Sequence, residues 1–225
     1  MIDGLRCLGK HETAAHAAYS TEYFSSPLTP SVVNLPFEPL LIPTGVVALA
    51  EIGDKTQLLA LVLAARYREP VAISLGIAAA TLANHAVAGA LGGWISSLIP
   101  LLWLHRGLAV SFLAMAIWTL VPDRLSDKDT HVTERFGVFG TTTIAFFLAE
   151  MGDKTQVATI ALVARYDAPA LVVIGTTVGM LIANIPVVLL GGRLSGRLPI
   201  KYIRMAAAVL FAALGLGTLW SLWTR

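Results

Sequence analysis

Two nearly identical phrases constrain this chain more than anything else in it. "LAEIGDKTQLLALVLAARY" runs from Leu49 to Tyr67, and "LAEMGDKTQVATIALVARY" from Leu148 to Tyr166. Each sets a Glu, an Asp and a Lys inside an apolar run. The match extends well beyond them. Glu51 and Glu150 stand 99 residues apart (150 − 51), and the same offset carries Arg66 onto Arg165, Pro70 onto Pro169 and Gly76 onto Gly175. It also carries Gly92–Gly93 onto Gly191–Gly192 and Thr119–Leu120 onto Thr218–Leu219. One ungapped register over that length is an internal duplication, so both halves must adopt variants of one fold.

The solvent for that fold is a bilayer. The chain is 56% hydrophobic and only 13% charged, with a mean hydropathy of +0.73, whereas soluble domains carry about a quarter charged residues. Six apolar stretches, near 41–66, 71–98, 102–121, 137–164, 169–192 and 202–223, approach or exceed the roughly 20 residues a helix needs to cross the hydrocarbon core. The expected fold class is therefore an all-α polytopic membrane protein: six transmembrane helices as two inverted three-helix repeats. Residues 1–38 read as a poorly ordered tail without the apolar core of a signal peptide. Residues 39–122 form the first repeat, 123–136 a polar cytoplasmic loop, and 137–225 the second repeat. A net charge of +2 without a basic stripe argues against nucleic-acid binding. The single cysteine, Cys7, excludes an intramolecular disulfide and a cysteine-based zinc site.

Three spans per repeat is an odd number, so the second copy must enter the membrane from the opposite side, as in many secondary transporters. With the N-terminus outside, inner loops hold Arg66, Arg68, Arg124, Lys128, Arg135, Arg193, Arg197, Lys201 and Arg204. Outer segments then hold Arg6, Lys10, Arg106, Arg165 and Arg225, a bias that places both termini outside.

In an unbroken helix, Glu51, Asp54 and Lys55 would share one arc with Gln57 a turn further on, and Glu150, Asp153, Lys154 and Gln156 would repeat it. Gly53 and Gly152 lie off that arc, where a missing side chain permits close approach or a local break. Three charges cost a helix about 8–10 kcal/mol of insertion free energy, and the apolar residues of the first span offset about 5. Each such span needs a polar partner, and its symmetry mate has the same need. Facing each other, the motifs pool four carboxylates with the oxygens of Thr56, Thr155, Gln57 and Gln156, hard donors suited to Mn²⁺, Ca²⁺ or Mg²⁺. Fully ionised, each motif carries net −1, so the two together match one divalent cation. When the cation leaves, unpaired buried charges take up protons, which is the chemistry of a cation/proton antiporter. The alternative is structural: Glu51–Lys55 and Glu150–Lys154 stand at i,i+4 and could be ion pairs that fix packing.

"AEIGDKTQ" and "AEMGDKTQ" resemble the paired E-x-G-D-K-[TS] signatures of the Gdt1 family, also called uncharacterised protein family 0016, over roughly residues 40–223. The resemblance implies an integral protein of the bacterial inner membrane that exports Mn²⁺, or Ca²⁺, in exchange for protons. It implies no enzymatic activity and no cofactor, and it assigns the metal to Glu51, Asp54, Glu150 and Asp153. Lys55, Thr56, Gln57, Lys154, Thr155 and Gln156 support them. His85 and its register mate Asn184 either relay protons, complete the cation shell or simply pack. Pro186 is expected to kink the fifth span, and Gly92–Gly93 and Gly191–Gly192 to permit close packing. Rival readings are a transporter of a small organic cation or amino acid, a channel, and an intramembrane aspartyl protease, whose two aspartates would come from dissimilar motifs.

Overall fold

The computed structural model describes residues 37–121, 136–190 and 200–223. The tail, the central loop with Asp123, Asp127, Asp129 and Glu134, and the pair Gly191–Gly192 lie outside the described residues. The described residues form eight helices: α1 (Glu38–Glu51), α2 (Lys55–Tyr67), α3 (Pro70–Leu98), α4 (Leu101–Leu120), α5 (Gly137–Glu150), α6 (Lys154–Tyr166), α7 (Pro169–Leu190) and α8 (Ile200–Trp223). The fold class is all-α. Four helices, α3, α4, α7 and α8, are long and apolar enough to cross a membrane.

The stretches 41–66 and 137–164, expected as continuous helices, are each broken at the charged phrase. α1 ends at Glu51 and α2 begins at Lys55; α5 ends at Glu150 and α6 begins at Lys154. The break is built identically both times. Gly53 (φ +81°) and Gly152 (φ +77°) take the left-handed conformation that a side chain disfavours. The amide N–H of Asp54 donates to the Glu51 carbonyl at 3.0 Å, and that of Asp153 to the Glu150 carbonyl at 3.0 Å. Arg68 (φ 56°) and Asp167 (φ 49°), also register mates, close α2 and α6 in the left-handed region. Pro70 and Pro169 then open α3 and α7, where a missing N–H leaves no bond unmade. Pro186 lies within α7, which continues past it to Leu190.

α3 packs along α5, and α7 along α1, so each long helix of one half lies against the broken helix of the other. Small residues set these distances. A methyl on Gly76 would come within 2.9 Å of the Phe139 carbonyl, and on Gly175 within 2.5 Å of the Leu40 carbonyl. The Gly92–Gly93 pair divides its roles: a Cβ on Gly92 would stand 2.6 Å from the Ile160 carbonyl, while Gly93 faces open space. Gly92→Ala is therefore expected to lower stability by about 1–3 kcal/mol through overpacking. Gly93→Ala gains up to about 1 kcal/mol of helix propensity. Melting temperatures in detergent check the contrast, and equal shifts would contradict the packing described. α4 and α8 pack against each other and turn large apolar side chains outward, Trp103, Val110, Ile117, Val209 and Trp220 among them. That surface suits lipid.

Candidate functional site

The two helix breaks meet. Buried carboxylate oxygens of Glu51, Asp54 and Asp153 lie within 4.8 Å of one another, close enough to ligate one ion together. The lysines are crossed between the halves. Lys154 Nζ donates to Asp54 Oδ1 at 2.8 Å, with the lysine 2% exposed, and Lys55 Nζ pairs with Asp153 Oδ1 at 3.2 Å, with the lysine 20% exposed. These pairs run between the motifs and not along one helix, as the i,i+4 pairs Glu51–Lys55 and Glu150–Lys154 would. The i,i+4 alignment is missing, because the helix that would provide it stops at the glutamate and restarts at the lysine.

The break itself shapes the electrostatics. Asp54 and Asp153 occupy the N-cap positions of α2 and α6, yet neither side chain caps its helix. The carboxylates are left for the lysines and for a ligand, while the positive ends of two helix dipoles still stabilise them. The C-terminal ends of α1 and α5, with partial negative charge, reach the same place and favour a cation. The glutamines hold the turns: Gln57 Oε1 accepts from the Gly53 N–H and Gln156 Oε1 from the Gly152 N–H, both at 2.8 Å. Each glutamine also reaches across to the long helix of the other half. Gln57 Nε2 donates to the Ala183 carbonyl at 3.0 Å, and Gln156 Nε2 to Asn84 Oδ1 at 3.5 Å.

At the site itself the halves differ in their hydroxyl contacts. Thr56 donates a hydrogen bond to Glu51 Oε2, whereas Thr155 donates to Asp153 Oδ2 at 3.4 Å and not to the glutamate of its own motif. Glu150 stands apart from the three-carboxylate group and accepts from Thr81 Oγ1 at 3.0 Å. Thr81 and Asn84, whose side-chain nitrogen donates to the Phe147 carbonyl at 3.0 Å, escaped the sequence reading. Their register mates are Met180 and Ala183, so the duplication gave no signal; polar residues inside an apolar span were the available hint. His85 is buried, and neither ring nitrogen has a hydrogen-bond partner among the described residues. Asn184 Nδ2 donates to the Met180 carbonyl at 3.1 Å and contacts Met180 Sδ at 2.9 Å. Neither residue belongs to the three-carboxylate group.

Four helices long and apolar enough to cross a bilayer, with buried acids meeting at paired helix breaks, point to an integral membrane protein that handles cations. A family model described as "Divalent cation/proton antiporter GDT1" matches residues 39–127 and 138–225. The chain belongs to that family, which comprises transporters and not enzymes. A Vibrio cholerae protein carrying the provisional description of manganese exporter is 50% identical over 180 residues, covering 80% of this chain and 89% of that one. A GDT1-like protein of Synechocystis is 26% identical over 198 residues, covering 78% of this chain and 93% of that one. GDT1-like protein 3 of rice is 26% identical over 203 residues, covering 78% and 71%. No solved structure matches the chain.

Proposed function

We propose that the chain exports Mn²⁺ across the bacterial inner membrane in exchange for protons, at one site made by both E-x-G-D-K-T motifs. The observation that carries this reading is the convergence of Glu51, Asp54 and Asp153 with two lysines crossed between the halves. Three carboxylates and two ammonium groups leave a net −1, and Glu150 brings it to −2, the charge one divalent cation neutralises. All-oxygen ligation suits Mn²⁺ and Ca²⁺ alike; the description of the Vibrio relative favours Mn²⁺. In this reading Glu51, Asp54 and Asp153 hold the cation, and Glu150, bound by Thr81, joins them during the cycle.

The architecture that goes with it is six membrane crossings in two inverted repeats, each broken helix counting as one crossing. The family's two matched stretches, 39–127 and 138–225, support a division into repeats at 39–122 and 137–225 around the loop 123–136. The loop charges support both termini outside. Protein reconstituted in liposomes with an imposed pH gradient is expected to move Mn²⁺ against its own gradient and to dissipate the pH difference in fixed proportion. Ca²⁺ should compete and small organic amines should not. Flux indifferent to the pH gradient would mean a channel; competition by amines would mean an organic-cation site.

A further inference from the structure

The apolar core is divided into two clusters, and the duplication relates them. Val46, Ala50, Leu162 and Val172 belong to one; their register mates Ala145, Ala149, Leu63 and Ile73 all belong to the other. The first lies around α1 and α6, the second around α2 and α5. What breaks the symmetry is α4 and α8. Both contribute to the first cluster, through Leu108 and Phe112 and through Phe211 and Leu214, and among the described residues neither contributes to the second. Ala161 on α6 is accordingly 4% exposed, whereas its mate Val62 on α2 is 41% exposed.

Polar contacts follow the same side. Arg204 on α8 donates to the Gly53 carbonyl at 2.8 Å, Ile200 covers Gly53, and Arg165 on α6 donates to Thr218 on α8. The register mates of these groups exist: His105 for Arg204, Leu101 for Ile200, Arg66 for Arg165 and Thr119 for Thr218. Among the described residues, Thr119, Leu101 and His105 do not make the equivalent contacts. Gly152 has open space where Gly53 meets Ile200, Leu101 is 59% exposed, and His105 bonds the carbonyl of Leu101 in its own helix. α4 and α8 themselves are tightly joined, since a Cβ on Gly215 would come within 2.9 Å of Leu113 and 3.2 Å of the Ala109 carbonyl.

We propose that α4 and α8 form one rigid unit with two seats, the observed one on α1 and α6 and a second on α2 and α5, and that its passage between them opens the carboxylate cluster to opposite sides of the membrane. The physical case is that both seats are apolar at mated positions and carry polar residues at the mates of those that hold the first. Packed interfaces have discrete arrangements and not a continuum, and two chemically similar seats differ little in free energy, so a ligand at the shared site can shift their populations. In the observed seat α8 covers Gly53, and among the described residues nothing covers Gly152 in the same way. Arg66 and His105 are then positioning residues of the second seat, as Arg165 and Arg204 are of the first.

Cysteine pairs outside the cation site test this in a Cys7→Ser background with a protease site in the loop 123–136, so that a disulfide holds the cut halves together. Leu104→Cys with Ala164→Cys joins two residues of the observed seat, both in the first cluster. Their register mates, Ile203→Cys with Ala65→Cys, report the second seat; Ala65 is exposed in the observed one. Both pairs are expected to link on oxidation in membranes, and each link to abolish Mn²⁺ flux until reductant restores it. An Ala65–Ile203 pair that never links while Leu104–Ala164 links fully, or flux that survives either link, would overturn the two-seat arrangement. The functional arm rests on the exchanger reading, but linking is read without transport. Wild-type protein that moves no Mn²⁺ would sink that reading while both links still established the two seats.

Discussion

Glu51→Gln, Asp54→Asn and Asp153→Asn are each expected to weaken Mn²⁺ binding by at least about 3 kcal/mol, more than about a hundredfold, because each removes a full charge within contact range of a divalent ion in a buried setting. Glu150→Gln should behave differently. Its carboxylate lies outside the three-oxygen group and is held by Thr81, so equilibrium binding in the observed arrangement should change by less than about threefold, under 1 kcal/mol. Transport should nevertheless be lost in all four variants, because the cycle needs the full −2. Quenching of the free Mn²⁺ electron paramagnetic resonance signal measures binding, and the liposome assay measures flux. Equal loss of binding in all four would mean that Glu150 ligates the ion together with the other three.

The second large effect concerns the crossed lysines. Removing one partner of a buried ion pair leaves the other charged in low dielectric and destabilises by about 3–5 kcal/mol. Lys154→Met is expected to fall in that range, since the lysine is 2% exposed and 2.8 Å from Asp54. Lys55→Met also leaves a buried partner, Asp153 at 3% exposed, and should cost somewhat less than Lys154→Met only because water reaches a lysine that is 20% exposed. The double variant Asp54→Asn, Lys154→Met should recover most of the lost stability and none of the transport. That combination separates the lysine's structural role from the aspartate's chemical one. Thermal unfolding in detergent, run as a double-mutant cycle, reads the coupling; additive losses would show that the pair does not act as a unit.

The amino-acid pattern carries part of this arrangement. Glu51, Asp54 and Asp153 were marked by their position inside apolar runs, where an ionisable group must have a partner or a function. That the two motifs face each other, as Glu51, Asp54 and Asp153 do, followed from the duplication together with the insertion cost of each alone. The helix break was not readable with the same force. Glu, Asp, Lys and Gln are all compatible with a helix, so the side-chain pattern continues through the phrase, and only Gly53 and Gly152 hinted at an interruption. An i,i+4 reading of Glu51 and Lys55 therefore pointed to a pair within one motif, whereas the break turns each lysine toward the other half.

By itself the sequence determined the membrane class, the internal repeat, the family and the identity of the acids, because these depend on composition and on a register that no packing can alter. Tertiary structure decided which groups meet. Nothing in a linear pattern distinguishes Lys55 facing Glu51 from Lys55 facing Asp153, or shows Thr81 beside Glu150. Those pairings depend on how α3 and α7 lie against the broken helices of the opposite half. Nor can a symmetric sequence say on which of two equivalent surfaces α4 and α8 rest. A chain with two copies of a surface but one unit to cover it must break its own symmetry, and only the folded molecule shows the side it has taken.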